Sequence, residues 1–145
     1  MEISKQGIDL IKSWESFRAE AYLCPAGVPT IGYGHTRTAS IGQPVISILQ
    51  AELMLRSDLT LFEVHLRQLL KDIELKQCQY DAVVSFCYNL GTGAFKNSNA
   101  YHAMKLNPNS KHIADSWITF RNAGGKYLRG LMLRRLDELT LYYSS

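Results

Sequence analysis

The sequence predicts an α+β chain that is mainly helical. Apolar residues recur at three- and four-residue spacing through residues 4–15, 47–70, 79–90 and 130–143, while one short stretch, 21–33, switches to strand chemistry around a Gly/Pro turn. At 145 residues and 46% hydrophobic content, the chain suits a single domain with a real core and room for two lobes. No apolar run reaches the roughly 18 residues of a membrane span. The opening MEISKQGIDLIKSW mixes charge with apolar residues where a leader would separate them, so neither a signal peptide nor a span is expected. Internal repeats, low-complexity tracts and Gly/Ser linkers are absent from the sequence.

The first helix starts at Ser4, an N-cap residue, with Gly7, Leu10, Trp14 and Phe17 on one line and Ile8 and Ile11 beside it. Glu15 lies on that second line, four residues after Ile11, so its carboxylate turns toward the protein. In the last turn, where the helix dipole is negative, the protonated form is favoured, which suits a general acid. The structural alternative is a rim residue paired with a base.

After the helix, Ala21–Leu23 favours a strand, Cys24-Pro25-Ala26-Gly27 is turn chemistry, and Val28–Tyr33 reads as the returning strand. Glu15, Cys24 and Thr30 are then expected to converge near the mouth of this hairpin. Gly42 and Pro44 end the small sheet, and Ser47 opens a long helix to about Leu70, its apolar positions including Leu49, Leu53, Leu55, Leu59, Phe62, Leu66 and Leu69. A nearly all-apolar helix from Gln79 to Leu90 stops at Gly91 and is central by composition.

Ser98 caps a helix over Asn99–Leu106, and Asn107–Ser110 closes it and caps the next, which runs to about Phe120. The last helix runs from about Gly130 to Tyr143. Arg135 shares a face with Leu128 and Leu139, which calls for a buried anion, and Glu15 is the candidate; the register leaves Arg134 open in its place.

The net charge of +3 hides an asymmetry: residues 96–135 hold eight Lys/Arg against one acid, a local +7. A basic second half suits an anionic polymer, as scattered surface charge also would explain it. Basic residues are not interleaved with aromatics in a nucleic-acid module, and no nucleic-acid partner is expected. Three cysteines, Cys24, Cys78 and Cys87, have neither disulfide nor zinc spacing, which fits folding in a reducing compartment. Cys24, on the hairpin, is open to reading as a nucleophile with His35, a metal ligand, a stand-in for a carboxylate, or an inert thiol. His65, His102 and His112 lack ligand-like spacing; no metal or other cofactor is expected.

The order Glu15, Cys24, Thr30, followed by Ile31-Gly32-Tyr33-Gly34-His35-Thr36, resembles the phage-type lysozymes of glycoside hydrolase family 24, whose pattern is Glu, then Asp or Cys, then Thr inside TIGYGH. Gln79–Phe86, Asn89–Phe95, and Gly124-Gly125-Lys126 with Gly130-Leu131 and Arg134-Arg135 resemble further family segments in family order. The resemblance implies a lysozyme-like fold: a small sheet-bearing lobe over about 15–50, joined by a long helix to a helical lobe over about 60–145 that includes the N-terminal helix.

It also implies a muramidase cleaving the β-1,4 bond of peptidoglycan. Glu15, Cys24 and Thr30 would be catalytic; Thr36, Tyr88, Asn89, Phe95, Asn97 and Ser98 would hold sugar; His35 and Arg135 would support the site. For Phe95 and Ser98, core packing and helix capping are the structural alternatives. The implied biology is a monomeric phage or prophage endolysin without stable membrane association, held in the host cytoplasm until it is released to the wall. An inactive wall-binding module and a Cys24-dependent wall peptidase are the other readings.

Overall fold

The computed structural model describes residues 1–145. The chain forms two compact units, residues 11–61, and residues 1–10 with 62–145. Their boundaries fall inside α1 (Lys5–Glu15) and α2 (Ile48–Leu70), so the smaller unit takes more of both helices than 15–50 allots.

In the 11–61 unit, α1 ends abruptly. Ser16 adopts a left-handed φ of 56° while its N–H still reaches the Lys12 carbonyl at 3.1 Å, and the chain leaves directly into a strand. Strand β1 (Arg18–Leu23) therefore begins earlier than the expected Ala21. It pairs antiparallel with β2 (Pro29–Gly32), Tyr22 opposite Thr30 and Arg18 opposite Gly32, with a bulge between. Beyond β2, Gly32 and Gly34 take φ of 68° and 84°, letting Ile31 and His35 exchange two N–H···O bonds of 2.9 Å. The glycines of the TIGYGH string thus make a tight return that turns His35 inward. The core here is Ile11, Ile31, Tyr33, Ile46, Ala51, Leu55 and Leu59.

Ser47 and Gln50 cap α2 reciprocally: the Gln50 N–H donates to Ser47 Oγ at 3.1 Å and the Ser47 N–H to Gln50 Oε1 at 2.8 Å. The expected leucine line needs correction. Leu49 and Leu53 are 66% and 60% exposed, and the inward stripe is Ala51, Leu55, Asp58, Leu59, Glu63, Leu66 and Leu70. Two acids lie on that stripe, each with an internal partner, and the outer leucines are displaced accordingly. Asp58 binds His35, and Glu63 accepts the Ile3 N–H at 2.6 Å.

In the other unit, α3 (Gln77–Leu90) is the central helix, buried continuously from Gln79 to Cys87. It packs on α7 (Arg129–Tyr142) and on α4 (Thr92–Lys96), and α5 (Asn99–Leu106) packs on α6 (His112–Trp117). Phe86 meets Phe95, Trp117 and Phe120 edge-on, with centroids 6.0, 4.9 and 5.0 Å away. Such pairs add about 0.5–1.5 kcal/mol each beyond their burial. The helix expected to reach Phe120 stops at Trp117, because the next turn tightens: Thr119 and Phe120 donate three residues back, to Ser116 and Trp117.

The α4 turn and a two-residue hairpin, β3 (Asn122–Ala123) with β4 (Lys126–Tyr127), had no periodic signature. At the chain start, Asp81 on α3 accepts the Ser4 N–H at 2.9 Å and the Ser4 hydroxyl, so close to α1 that a Cβ on Gly7 would lie 2.9 Å from its side chain. No helix is long and apolar enough to cross a membrane.

Candidate active site

The hairpin mouth joins Cys24 and Thr30. The Cys24 N–H donates to the Val28 carbonyl at 3.0 Å and the Gly27 N–H to the Cys24 carbonyl at 2.8 Å, closing a turn around the sulfur. The Val28 N–H is the main influence holding the Cys24 thiol below its ordinary range. Partial burial works against it, while the Ala26 N–H, the Thr30 hydroxyl and the residue's own N–H add to it. The balance of these neighbours favours the thiolate over the thiol.

Thr30 is buried, and its hydroxyl donates to the Val28 carbonyl at 2.9 Å. A hydroxyl has one proton, so donation to a thiolate at 24 means release of that carbonyl. Glu15 is half-buried at the last residue of α1, where Ser16 turns the chain into β1.

His35 is buried with both ring nitrogens engaged. Nδ1 lies 2.8 Å from Asp58 Oδ2, and Nε2 lies 2.6 Å from Thr38 Oγ and receives the Thr38 N–H at 3.3 Å. Because Nε2 accepts a backbone proton, Nδ1 carries the hydrogen and donates it to Asp58. Arg37 Nε donates to the other Asp58 oxygen at 3.0 Å. His35 is thereby a fastener between the return loop and α2, leaving no nitrogen for a base or ligand role.

Arg135, fully buried, finds its anion in Glu138, one turn along α7, which corrects the expectation that Glu15 is that anion. Nε and Nη2 donate to the two Glu138 oxygens at 2.7 and 3.1 Å, and Arg134 Nε stands 3.5 Å from Oε2. Burial pulls the Arg135 guanidinium below its ordinary range, and the charge and hydrogen bonds of Glu138 oppose that. Ser85 Oγ and Trp117 Nε1 also donate to Glu138, at 2.7 and 3.1 Å. Arg135 Nη2 continues to Asn89 Oδ1 at 2.9 Å.

Two of the residues expected to hold sugar have internal structural roles. The Phe95 ring is fully buried against Phe86 and Tyr101, which makes it core and not a stacking face. Ser98 is the N-cap of α5, accepting the Tyr101 N–H at 3.1 Å and donating to the Phe95 carbonyl at 2.6 Å. Thr36 and Asn97 are exposed; Tyr88 and Asn89 are half-buried at the end of α3, Tyr88 edge-on to Phe62 at 5.5 Å. Cys87 is fully buried; burial pushes its thiol up and Glu138 adds to that. Of the eight bases in 96–135, Arg134 and Arg135 are buried on Glu138, so the outward charge of that segment is smaller than the sequence total.

Sequence reasoning missed Asp58, Glu138, Ser85 and Trp117. Two carried a signal: an acid between Leu55 and Leu59 on an apolar face, and an acid three residues after Arg135.

The chain as a whole has known relatives. The chain is 40% identical over 147 residues to the endolysin of Bacillus phage B103, covering 98% of this chain but 54% of that protein, so it spans about half the length of that relative. It is 38% identical to the endolysin of Acyrthosiphon pisum secondary endosymbiont phage 1, with 100% of both chains covered. Among solved structures it is similar to the muramidase domain of SpmX from Asticaccaulis excentricus, with a TM-score of 0.90, 32% identity and 99% of each chain covered. The Phage lysozyme family model matches residues 12–138, which takes in the Cys24 turn, the His35 return and the Arg135–Glu138 pair: the chain belongs to the phage lysozyme family.

Proposed function

We propose that the protein is a muramidase, hydrolysing the β-1,4 bond between N-acetylmuramic acid and N-acetylglucosamine in peptidoglycan. The observation that carries this reading is the Cys24 turn of the β1–β2 hairpin, beside the buried Thr30, where the resemblance places Asp or Cys: the Val28 N–H, chief among its neighbours, favours the thiolate over the thiol. Glu15 gives its proton to the glycosidic oxygen, which leaves with the bonding pair. The Cys24 thiolate faces the positive charge that develops at C1. A water held at Thr30 then adds to C1 and passes its proton to the sulfur; exchange with solvent resets both groups.

Tyr88, Asn89, Thr36 and Asn97 hold the glycan in this reading. The protein acts as a monomeric phage or prophage endolysin, kept in the host cytoplasm until another protein opens a route to the wall. A thiol peptidase would need a base for Cys24, and the engaged nitrogens of His35 count against it in that part.

Mass spectrometry of fragments released from purified peptidoglycan tests the proposal. Reducing-end N-acetylmuramic acid is expected, with activity lost in Glu15→Gln and kept in Cys24→Asp. Reducing-end N-acetylglucosamine, cleaved stem peptides, or undiminished lysis by Glu15→Gln would sink it.

A further inference from the structure

The buried polar cluster on α7 ends at a half-exposed amide, and that arrangement has a chemical direction. Glu138 is fully buried and receives Ser85 Oγ, Trp117 Nε1 and two nitrogens of Arg135. These contacts fix the guanidinium, which has only donors to offer. Its Nη2 lies 2.9 Å from the side-chain amide of Asn89, so that amide must turn its oxygen toward Arg135. The NH2 group is therefore committed to the opposite side.

Ser85 and Asn89 stand four residues apart on α3, and Arg135 and Glu138 three apart on α7, so one pair of facing helix turns sets the whole chain of contacts. A half-buried asparagine free to flip would present donor and acceptor alike. This one is held in a single orientation by a charge no solvent reaches.

We infer that Glu138 and Arg135 are positioning residues for glycan binding: they lock Asn89 so that it offers hydrogen-bond donors to an acceptor oxygen of the sugar, of which the acetamido carbonyl of an N-acetylhexosamine is the strongest neutral example. The inference rests on the muramidase reading for the identity of the ligand. It adds a polarity, donor outward, that the family likeness does not supply.

Asn89→Asp separates this role from a structural one. Aspartate has the same shape and keeps an oxygen on Arg135, gaining an ionic partner there, but it turns a second acceptor toward the sugar. Binding is measured by calorimetry with soluble, uncrosslinked peptidoglycan strands in a Glu15→Gln background, where turnover does not intrude.

The dissociation constant is expected to rise about tenfold, the equivalent of one lost hydrogen bond, while thermal stability holds or increases. Below the titration of the new carboxyl, its O–H restores a donor, so acid should recover much of the lost affinity; the asparagine parent should show no such recovery. Asn89→Ala, which has no donor at any pH, should weaken binding without acid recovery.

An unchanged dissociation constant for Asn89→Asp, weakening without acid recovery, or no strand binding by the parent would overturn the inference. The fragments released by the wild-type protein test the muramidase reading separately, because binding in the Glu15→Gln background does not depend on which bond is cut.

Discussion

Replacing Glu138 by leucine tests the central energetic claim about α7. Glu138 and Arg135 are both 0% exposed, bonded at 2.7 and 3.1 Å, and the same carboxylate accepts from Ser85 Oγ and Trp117 Nε1. Removing one member of a buried ion pair costs about 3–5 kcal/mol, mainly because the other charge is left without compensation. The orphaned hydroxyl and indole N–H contribute about 1–3 kcal/mol each where water cannot reach them, and part of that already lies within the first figure.

At about 2–4 °C per kcal/mol for a domain near this size, a fall in Tm of roughly 6–20 °C is expected. A second substitution, Arg135→Met, removes the stranded charge. The double variant should then be more stable than Glu138→Leu alone, with a coupling of about 2–3 kcal/mol in the mutant cycle. Urea midpoints at neutral pH, compared at constant m, read both quantities. A loss below about 1 kcal/mol, or a double variant no more stable than the single, would refute the reasoning.

Three other expectations follow from the geometry. Since the folded chain lowers the Cys24 thiol, its alkylation rate should reach half-maximum at a lower pH than that of a cysteine peptide, followed by peptide mass mapping, and Cys87 should stay unmodified until the chain unfolds. His35→Ala leaves Asp58 buried without its main partner and should cost about 1–3 kcal/mol in thermal or urea unfolding, whereas Arg37→Ala, removing a side chain 48% exposed, should cost under about 1 kcal/mol. The register of α2 predicts a contrast between two leucines two residues apart: Leu53→Gln should stay within about 0.5 kcal/mol, and Leu55→Ala should lose about 2–5 kcal/mol.

What could be read in advance follows the strength of each local signal. The bounds of α5 were legible to the residue, and α3 and α7 to within a residue or two, because Ser98 and Gly91 mark ends chemically and the apolar spacing is regular. The inward face of α2 was not legible from its leucines, which lie on more than one face of the helix. Only the partners of Asp58 and Glu63 decide which face turns in. The start of β1 depended on a left-handed Ser16, a conformation no propensity for serine forecasts. At the site, Cys24 and Thr30 were identifiable by type and order, but the N–H groups of Val28 and Ala26 that favour the thiolate belong to the backbone and carry no residue signature.

The buried acids explain why a chain with surplus apolar surface settles on one arrangement. Each ties a helix to a segment whose apolar content could not place it alone. Asp58 holds the His35 return, Asp81 holds Ser4 at the chain start, and Glu138 joins α7 to Ser85 on α3 and Trp117 on α6. Such groups are poor sources of net stability, since desolvation offsets much of their attraction. Their effect is on alternatives: a helix rotated by one residue would bury an acid without its donors, a penalty of several kcal/mol that an all-leucine stripe would not impose. The β1–β2 hairpin tolerates little slippage, because a one-residue shift in strand pairing turns the buried Thr30 to the other face. The Ile31–His35 return, fastened to α2 through Asp58, lies directly after β2 and opposes that shift.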